Sequence, residues 1–303
     1  MLRLRTHSPV FSELNRRFRT IAFGVYSLCL VGGALAVVRD LVALSRGNAT
    51  ASHVIAVPFV TLFLLYQGRE SIFSSVRWAA AAGGSVIGAG LALLLWGLSS
   101  SAGPDALSIK AAGLATAWVG GFLLFYGPSA FRAALFPLLF LAFTIPFPGA
   151  ILAGATRLLK AGSSEAVAGL FSLTATPYHR DGFVFSLPNF AIEIADECSG
   201  IRSSIALLLT GLLAGQALLK SHWTKVLLVL AILPLTVVKN GIRIVSLSLL
   251  AMYVDAGFLT GQLHHEGGIV FFLLALAMLA PVLAFLRRLD PQGPEPTHAG
   301  MKS

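Results

Sequence analysis

Charge is scarce in this chain: Asp, Glu, Lys and Arg make up 12% of its 303 residues, about half the density of a typical soluble domain. A water-facing surface around a core of this size needs more. With 56% hydrophobic residues and a mean hydropathy of +0.82, the composition excludes an ordinary soluble globule and makes a bilayer the main solvent. Cysteine is nearly absent as well. Cys29 lies in the first apolar run and Cys198 in a distant polar segment, so neither a C-x-x-C metal spacing nor a structural disulfide is expected, and no cofactor is implied. There is no G-x-S-x-G elbow for a serine hydrolase and no convincing internal repeat of the alternating-access kind. The net charge of +9 forms no continuous stripe and has no aromatic platform beside it, which argues against nucleic acid as a partner.

What the chain does have is apolar runs, at about 20–38, 51–66, 78–98, 109–126, 131–147, 200–219, 225–250 and 267–286. Each is near the ~20 residues that cross a bilayer core of ~30 Å, so the expected fold class is an all-α polytopic membrane protein of about eight transmembrane helices. The spacing from Gly84 to Gly88 suggests a close helix–helix contact in the third run. Thirteen of the 22 Lys and Arg but only four of the 13 acidic residues fall on one side of this map. The positive-inside rule makes that side cytoplasmic, with both termini on it. The expected organisation is a basic cytoplasmic tail (1–19), a membrane-embedded domain (20–286) and a disordered cytoplasmic tail (287–303).

Residues 148–199 interrupt the pattern. The stretch 149–173 has helical periodicity with Arg157, Lys160 and Glu165 interspersed, and reads as an amphipathic helix in the outer interface. From Pro177 to Ala195 apolar and polar residues alternate about an Asp181-Gly182 turn signal, which predicts a small extracytoplasmic β-hairpin leading to Cys198.

The same map brings three polar clusters to the outer side. Asp196-Glu197-Cys198-Ser199-Gly200-Ile201-Arg202 opens the sixth run, Lys239-Asn240-Gly241-Ile242-Arg243 lies in the outer part of the seventh, and His264-His265-Glu266-Gly267-Gly268 opens the eighth. Taken singly, each has a plainer explanation: a packing cysteine, a snorkelling arginine, interfacial histidines. Together they place a thiol, a guanidinium and an imidazole at a common depth. A helix start favours a thiolate, and Arg202 adds positive potential that Asp196 and Glu197 oppose. A histidine would move the thiol proton. An arginine inside an apolar run implies a polar partner, such as an oxyanion or a substrate carboxylate, with Asn240 on the same face to hold it. His53 and His179 are lesser candidates for a proton relay or for substrate binding. A polytopic transporter or channel with Arg243, Lys239 and His264 lining a polar path is the alternative reading.

At these clusters the chain resembles the exosortase/archaeosortase family of membrane-embedded cysteine transpeptidases. The resemblance rests on Glu197 to Ser203, on Asn240-Gly241-Ile242-Arg243, and on His264 followed by Gly267-Gly268 and an apolar helix. Ser52 to Pro58 and Phe136-Pro137 through Ile145-Pro146-Phe147-Pro148 are further landmarks. The resemblance implies a sorting enzyme of a bacterial cytoplasmic (inner) membrane, its site facing outward. Its partners would be exported proteins ending in a short motif such as Pro-Glu-Pro, a transmembrane helix and a basic cluster, with an unknown lipid- or polysaccharide-linked acceptor. It further implies Cys198 as nucleophile, Arg243 as transition-state stabiliser and His264, rather than His265, as acid–base. Glu197, Arg202, Asn240, His265 and His53 are candidates for support or substrate binding.

Overall fold

The computed structural model describes residues 9–99, 105–196, 199–255, 257 and 268–290. The fold is an all-α polytopic membrane architecture with one small sheet. Among the described residues, six helical segments are long and apolar enough to cross a bilayer singly, and the count reaches eight if each of two bent helix pairs is one span. The chain divides into two compact units, Met1–Ile151 and Leu152–Ser303.

The N-terminal unit contains α1 (Pro9–Gly33), α2 (Leu35–Gly47), α3 (Ala56–Gln67), α4 (Arg69–Ile72), α5 (Ala80–Ser99), α6 (Ala106–Ala133) and α7 (Leu135–Phe140). The first expected span does not run straight to residue 38. The chain bends by 73° between Gly33 and Leu35, where the Gly32-Gly33 pair weakens the helix. Beyond the bend, Val37 and Leu41 are buried while Arg39 and Asp40 stay exposed, so α2 is two-faced. The fifth expected span, 131–147, is also corrected. It is the short α7 and a 3₁₀ turn at Leu141–Thr144, because Pro146 and Pro148 cannot continue a helix.

The α5–α6 pair is the tightest contact in this unit, and it uses different glycines from those expected. A Cβ on Gly84 or Gly88 would meet nothing within 4 Å, whereas one on Gly113 would lie 2.5 Å from the Leu94 amide and one on Gly120 2.6 Å from that of Ile87. Gly83, Gly90 and Gly97 supply the α5 side of this face at a seven-residue spacing, the period that keeps one face on its partner.

Near its end α6 breaks at Gly127 (φ +83°) and Pro128. Proline lacks the N–H that would bind the carbonyl four residues back, so Leu124 O is freed. Here it accepts from the Ala79 amide at 3.1 Å, while Tyr126 O accepts from the Arg77 amide at 3.2 Å and Phe125 O from the Arg19 guanidinium at 3.1 Å. In hydrocarbon each such group has to find a protein partner, and the residues entering α5 supply two of the three.

The C-terminal unit holds α8 (Gly149–Leu173, begun just before the unit boundary), a three-stranded antiparallel sheet of β1 (His179–Asp181), β2 (Val184–Ser186) and β3 (Ala191–Glu193), then α9 (Ile201–Leu218), α10 (His222–Tyr253) and α11 (Gly268–Leu289). The helix expected at 149–173 is present, and the hairpin gains a third strand. Asp181 pairs with Val184 across a two-residue loop, with Gly182 at φ +60° in the position a type II′ turn gives to glycine. Leu207, Leu228, Ile232, Ala275 and Leu279 form the core between α9, α10 and α11. The outward faces keep large apolar side chains exposed, including Leu230, Leu233, Ile269 and Leu273, as lipid-facing helices require.

Candidate active site

The site is built where α8 crosses α10. Gly162 and Gly241 bring the two helices together: a Cβ on either would stand 2.8 Å from Val237 or Ala166 respectively. At this crossing Ser163, Lys239 and Asn240 are all buried, at most 1% exposed, and Asn240 Nδ2 donates to Ser163 Oγ at 3.0 Å. Burying these groups is costly in an apolar setting unless they bond one another.

Against this centre rests the chain that enters α9. Gly200 is the helix N-cap, with φ +77°, and a Cβ there would lie 2.9 Å from Asn240 Oδ1 and 3.4 Å from Lys239 Nζ. The position therefore requires glycine twice, for its left-handed backbone and for the close approach. Lys239 Nζ donates to Ser203 Oγ at 2.5 Å. The Ser203 and Ser204 hydroxyls both donate to Gly200 O, at 2.9 and 2.8 Å. Ser199 is fully buried.

Upstream, the sheet is held on α8 by a core of Val167, Phe171, Phe185, Leu187 and Ile194, joined by Val245 of α10. Lys160 of α8 pairs with Asp196 at 2.8 Å, and Arg180 of β1 with Glu165 at 2.9 Å. The Asp196 and Glu165 side chains are about three-quarters exposed, so these pairs add little stability, but the first ties down the residue two before Cys198. The Ser199 amide donates to Asp196 O at 3.1 Å. The chain is thus anchored on both sides of Glu197-Cys198, to α8 before it and to α10 after it.

Cys198, Glu197, His264 and His265 lie outside the described residues. Arg243 is half-buried one turn beyond Lys239, with its guanidinium carbon 5.9 Å from the ring centroid of Phe271 near the start of α11. Asn240 is fully buried and bonded to Ser163. Arg202 is exposed on α9, and His179 is exposed on β1. His53 belongs to the N-terminal unit, its ring 6.0 Å from that of Phe147 and its Nε2 buried.

Two members of this polar centre, Ser163 and Ser203, carry no assigned role in the sequence reading, and Lys239 entered it only through the transporter or channel alternative. Lys239 gives the same signal as Arg243, a cation inside an apolar run. Ser163-Ser164 is visible only as a polar break in an otherwise ordinary amphipathic stretch.

Within the C-terminal unit, Ser163, Lys239 and Asn240 thus form a buried polar centre against the Ser199-Gly200 corner. The family model for transmembrane exosortase (Exosortase_EpsH) matches residues 44–281, and the chain belongs to that family. No curated protein and no solved structure matches the chain.

Proposed function

We propose that this protein is a cysteine-dependent peptidase or transpeptidase that processes C-terminal sorting signals of exported proteins at the outer face of a bacterial cytoplasmic (inner) membrane. The observation that carries the reading is the family match, because residues 44–281 contain all three motif segments. In this reading the Cys198 thiolate attacks the carbonyl of the scissile peptide bond and Arg243 balances the oxyanion that forms. His264 protonates the departing amine, leaving an acyl-enzyme thioester. An acceptor nucleophile then attacks the thioester, gives its proton to His264 and frees the thiol. The charge bias of the loops supports cytoplasmic termini and an outward-facing site.

The test is co-expression with an exported protein ending in a short motif, an apolar helix and a basic cluster. Cys198→Ala and Cys198→Ser abolish its processing while the enzyme still inserts into the membrane. Unchanged processing in either variant removes the enzyme reading.

A further inference from the structure

We infer that Ser203 and Lys239 form a serine–lysine pair, a second nucleophilic centre in which the uncharged Lys239 amine takes the Ser203 proton and the hydroxyl oxygen accepts acyl groups from carboxylic esters.

Lys239 is 1% exposed in the middle of an apolar helix, and Ser203 is half-buried in the first turn of α9. A charged ammonium in such a setting is costly unless an anion pairs with it. Among the described residues Lys239 has no carboxylate partner. Its hydrogen bond goes to a neutral group instead, Ser203 Oγ at 2.5 Å. The amine is therefore held uncharged, with a lone pair open to a proton. A serine hydroxyl becomes a nucleophile when a base of this kind lies within hydrogen-bond reach.

The surroundings of Ser203 free its proton for that transfer. At rest the hydroxyl donates to Gly200 O at 2.9 Å, but the same carbonyl accepts from the Ser204 hydroxyl at 2.8 Å and from the Ser204 amide at 2.9 Å. A carbonyl oxygen has two lone pairs, so Ser204 alone satisfies it. Ser203 can then turn its proton toward Lys239 and strand no buried acceptor. The Ser203 amide, in a first turn where helical amides lack intrahelical acceptors, has no acceptor among the described residues. That N–H, beside its own hydroxyl, is a donor for an oxyanion. The neighbouring serines are placed differently: Ser199 is fully buried with its Oγ toward the Ile201 amide, and Ser204 is bonded to Gly200 O. Neither bonds an amine side chain among the described residues.

In the step this permits, Ser203 Oγ bonds to the ester carbonyl carbon as its proton passes to Lys239. The ester C–O bond then breaks, Lys239 returns the proton to the departing alkoxide, and an acyl-serine remains. Water repeats the sequence: it gives a proton to Lys239, bonds to the acyl carbon and releases the acid as Ser203 recovers the proton.

The experiment treats the full chain in detergent micelles with a fluorophosphonate, the phosphoryl counterpart of an activated ester. Its P–F bond breaks as Ser203 Oγ bonds to phosphorus, and peptide mass spectrometry locates the adduct. Folded wild type carries the adduct on Ser203, formed about 100-fold faster than in the same protein unfolded in dodecyl sulfate. Lys239→Met keeps the bulk of the side chain without the amine and loses that advantage. An unlabelled Ser203 in folded wild type, or undiminished labelling in Lys239→Met, overturns the inference. Should Lys239→Met fail to give a monodisperse protein, the folded and unfolded wild type decide alone, and equal rates overturn it. The adduct is read without a sorting substrate, so its absence leaves the Cys198 reading standing, and unchanged processing in Cys198→Ala removes that reading without touching the adduct.

Discussion

The α5–α6 contact of the N-terminal unit and the crossing of α8 with α10 in the C-terminal unit both depend on glycine, and they use it in opposite ways. Between α5 and α6 the missing side chains let backbone meet backbone at Gly83, Gly90, Gly113 and Gly120. The nearby polar obligations, the carbonyls freed at the Gly127-Pro128 break, are met by main-chain amides and one arginine. At the second crossing Gly162 and Gly241 bring the helices together, and Gly200 leaves room for Asn240 and Lys239 beside the chain entering α9. Small residues in a membrane protein therefore mark close approach, while chemistry belongs where the space they leave is occupied by polar groups.

The sharpest way to test this contrast is Gly200→Ala. The left-handed backbone at 200 costs alanine about 1–2 kcal/mol, and its methyl displaces Asn240 from beneath the Ser199-Gly200 corner. A shift of this kind next to the proposed nucleophile reduces processing by about 100-fold, measured on the folded fraction. Gly90→Ala is the counterpart. Its Cβ would press on the Ala117 backbone and lower stability by about 1–3 kcal/mol, seen as a fall in Tm, while processing per folded molecule stays within about twofold of wild type. Gly84→Ala, with nothing within 4 Å of its Cβ, keeps or slightly raises Tm through better helix propensity. If Gly90→Ala abolished turnover and Gly200→Ala spared it, the division between packing and chemistry would be wrong.

How much of this could be read beforehand follows from what each signal depends on. Spans such as 78–98 and 267–286 are legible because twenty apolar residues have one economical solution in a bilayer, and the structure has helices at Ala80–Ser99 and Gly268–Leu289. The 131–147 run misled because hydropathy averages over Pro146 and Pro148, which decide the backbone. Gly84 and Gly88 misled for a different reason. Four-residue spacing is a local pattern, whereas the face that packs is chosen by the partner helix. In the site, Arg243 stood out by its cost in an apolar run and Asn240 by sharing its face. Ser163 did not, since a serine in an amphipathic helix is unremarkable until Asn240 is found bonded to it. Ser163→Ala removes that acceptor from a buried amide and lowers stability by about 1 kcal/mol, an effect a Tm measurement resolves. Ser172→Ala, on the exposed end of the same helix, changes nothing.

The smallest effect concerns the far end of α10, where the two units' lesson about polar groups recurs outside the membrane-spanning segments. The N-cap Ser221 makes no side-chain cap of its own. Asp290, just past α11, takes that role: its carboxylate accepts from the Lys220 and Ser221 amides and lies 3.1 Å from Thr224 Oγ1. Those amides, the Lys220 N–H foremost, hold the carboxyl below its ordinary range, as a negative group at a helix N-terminus should be held. A carboxyl whose folded value is depressed contributes stability that is fully present above its unfolded value, and that stability is lost as pH falls through the depressed one. Wild-type Tm should therefore drop on acidification below the usual carboxylate range by more than that of Asp290→Asn, which keeps the shape but not the charge. At neutral pH the variant should melt slightly lower, and processing should be unaffected. Parallel Tm curves for the two proteins across the acid range would show that the cap is made by shape alone.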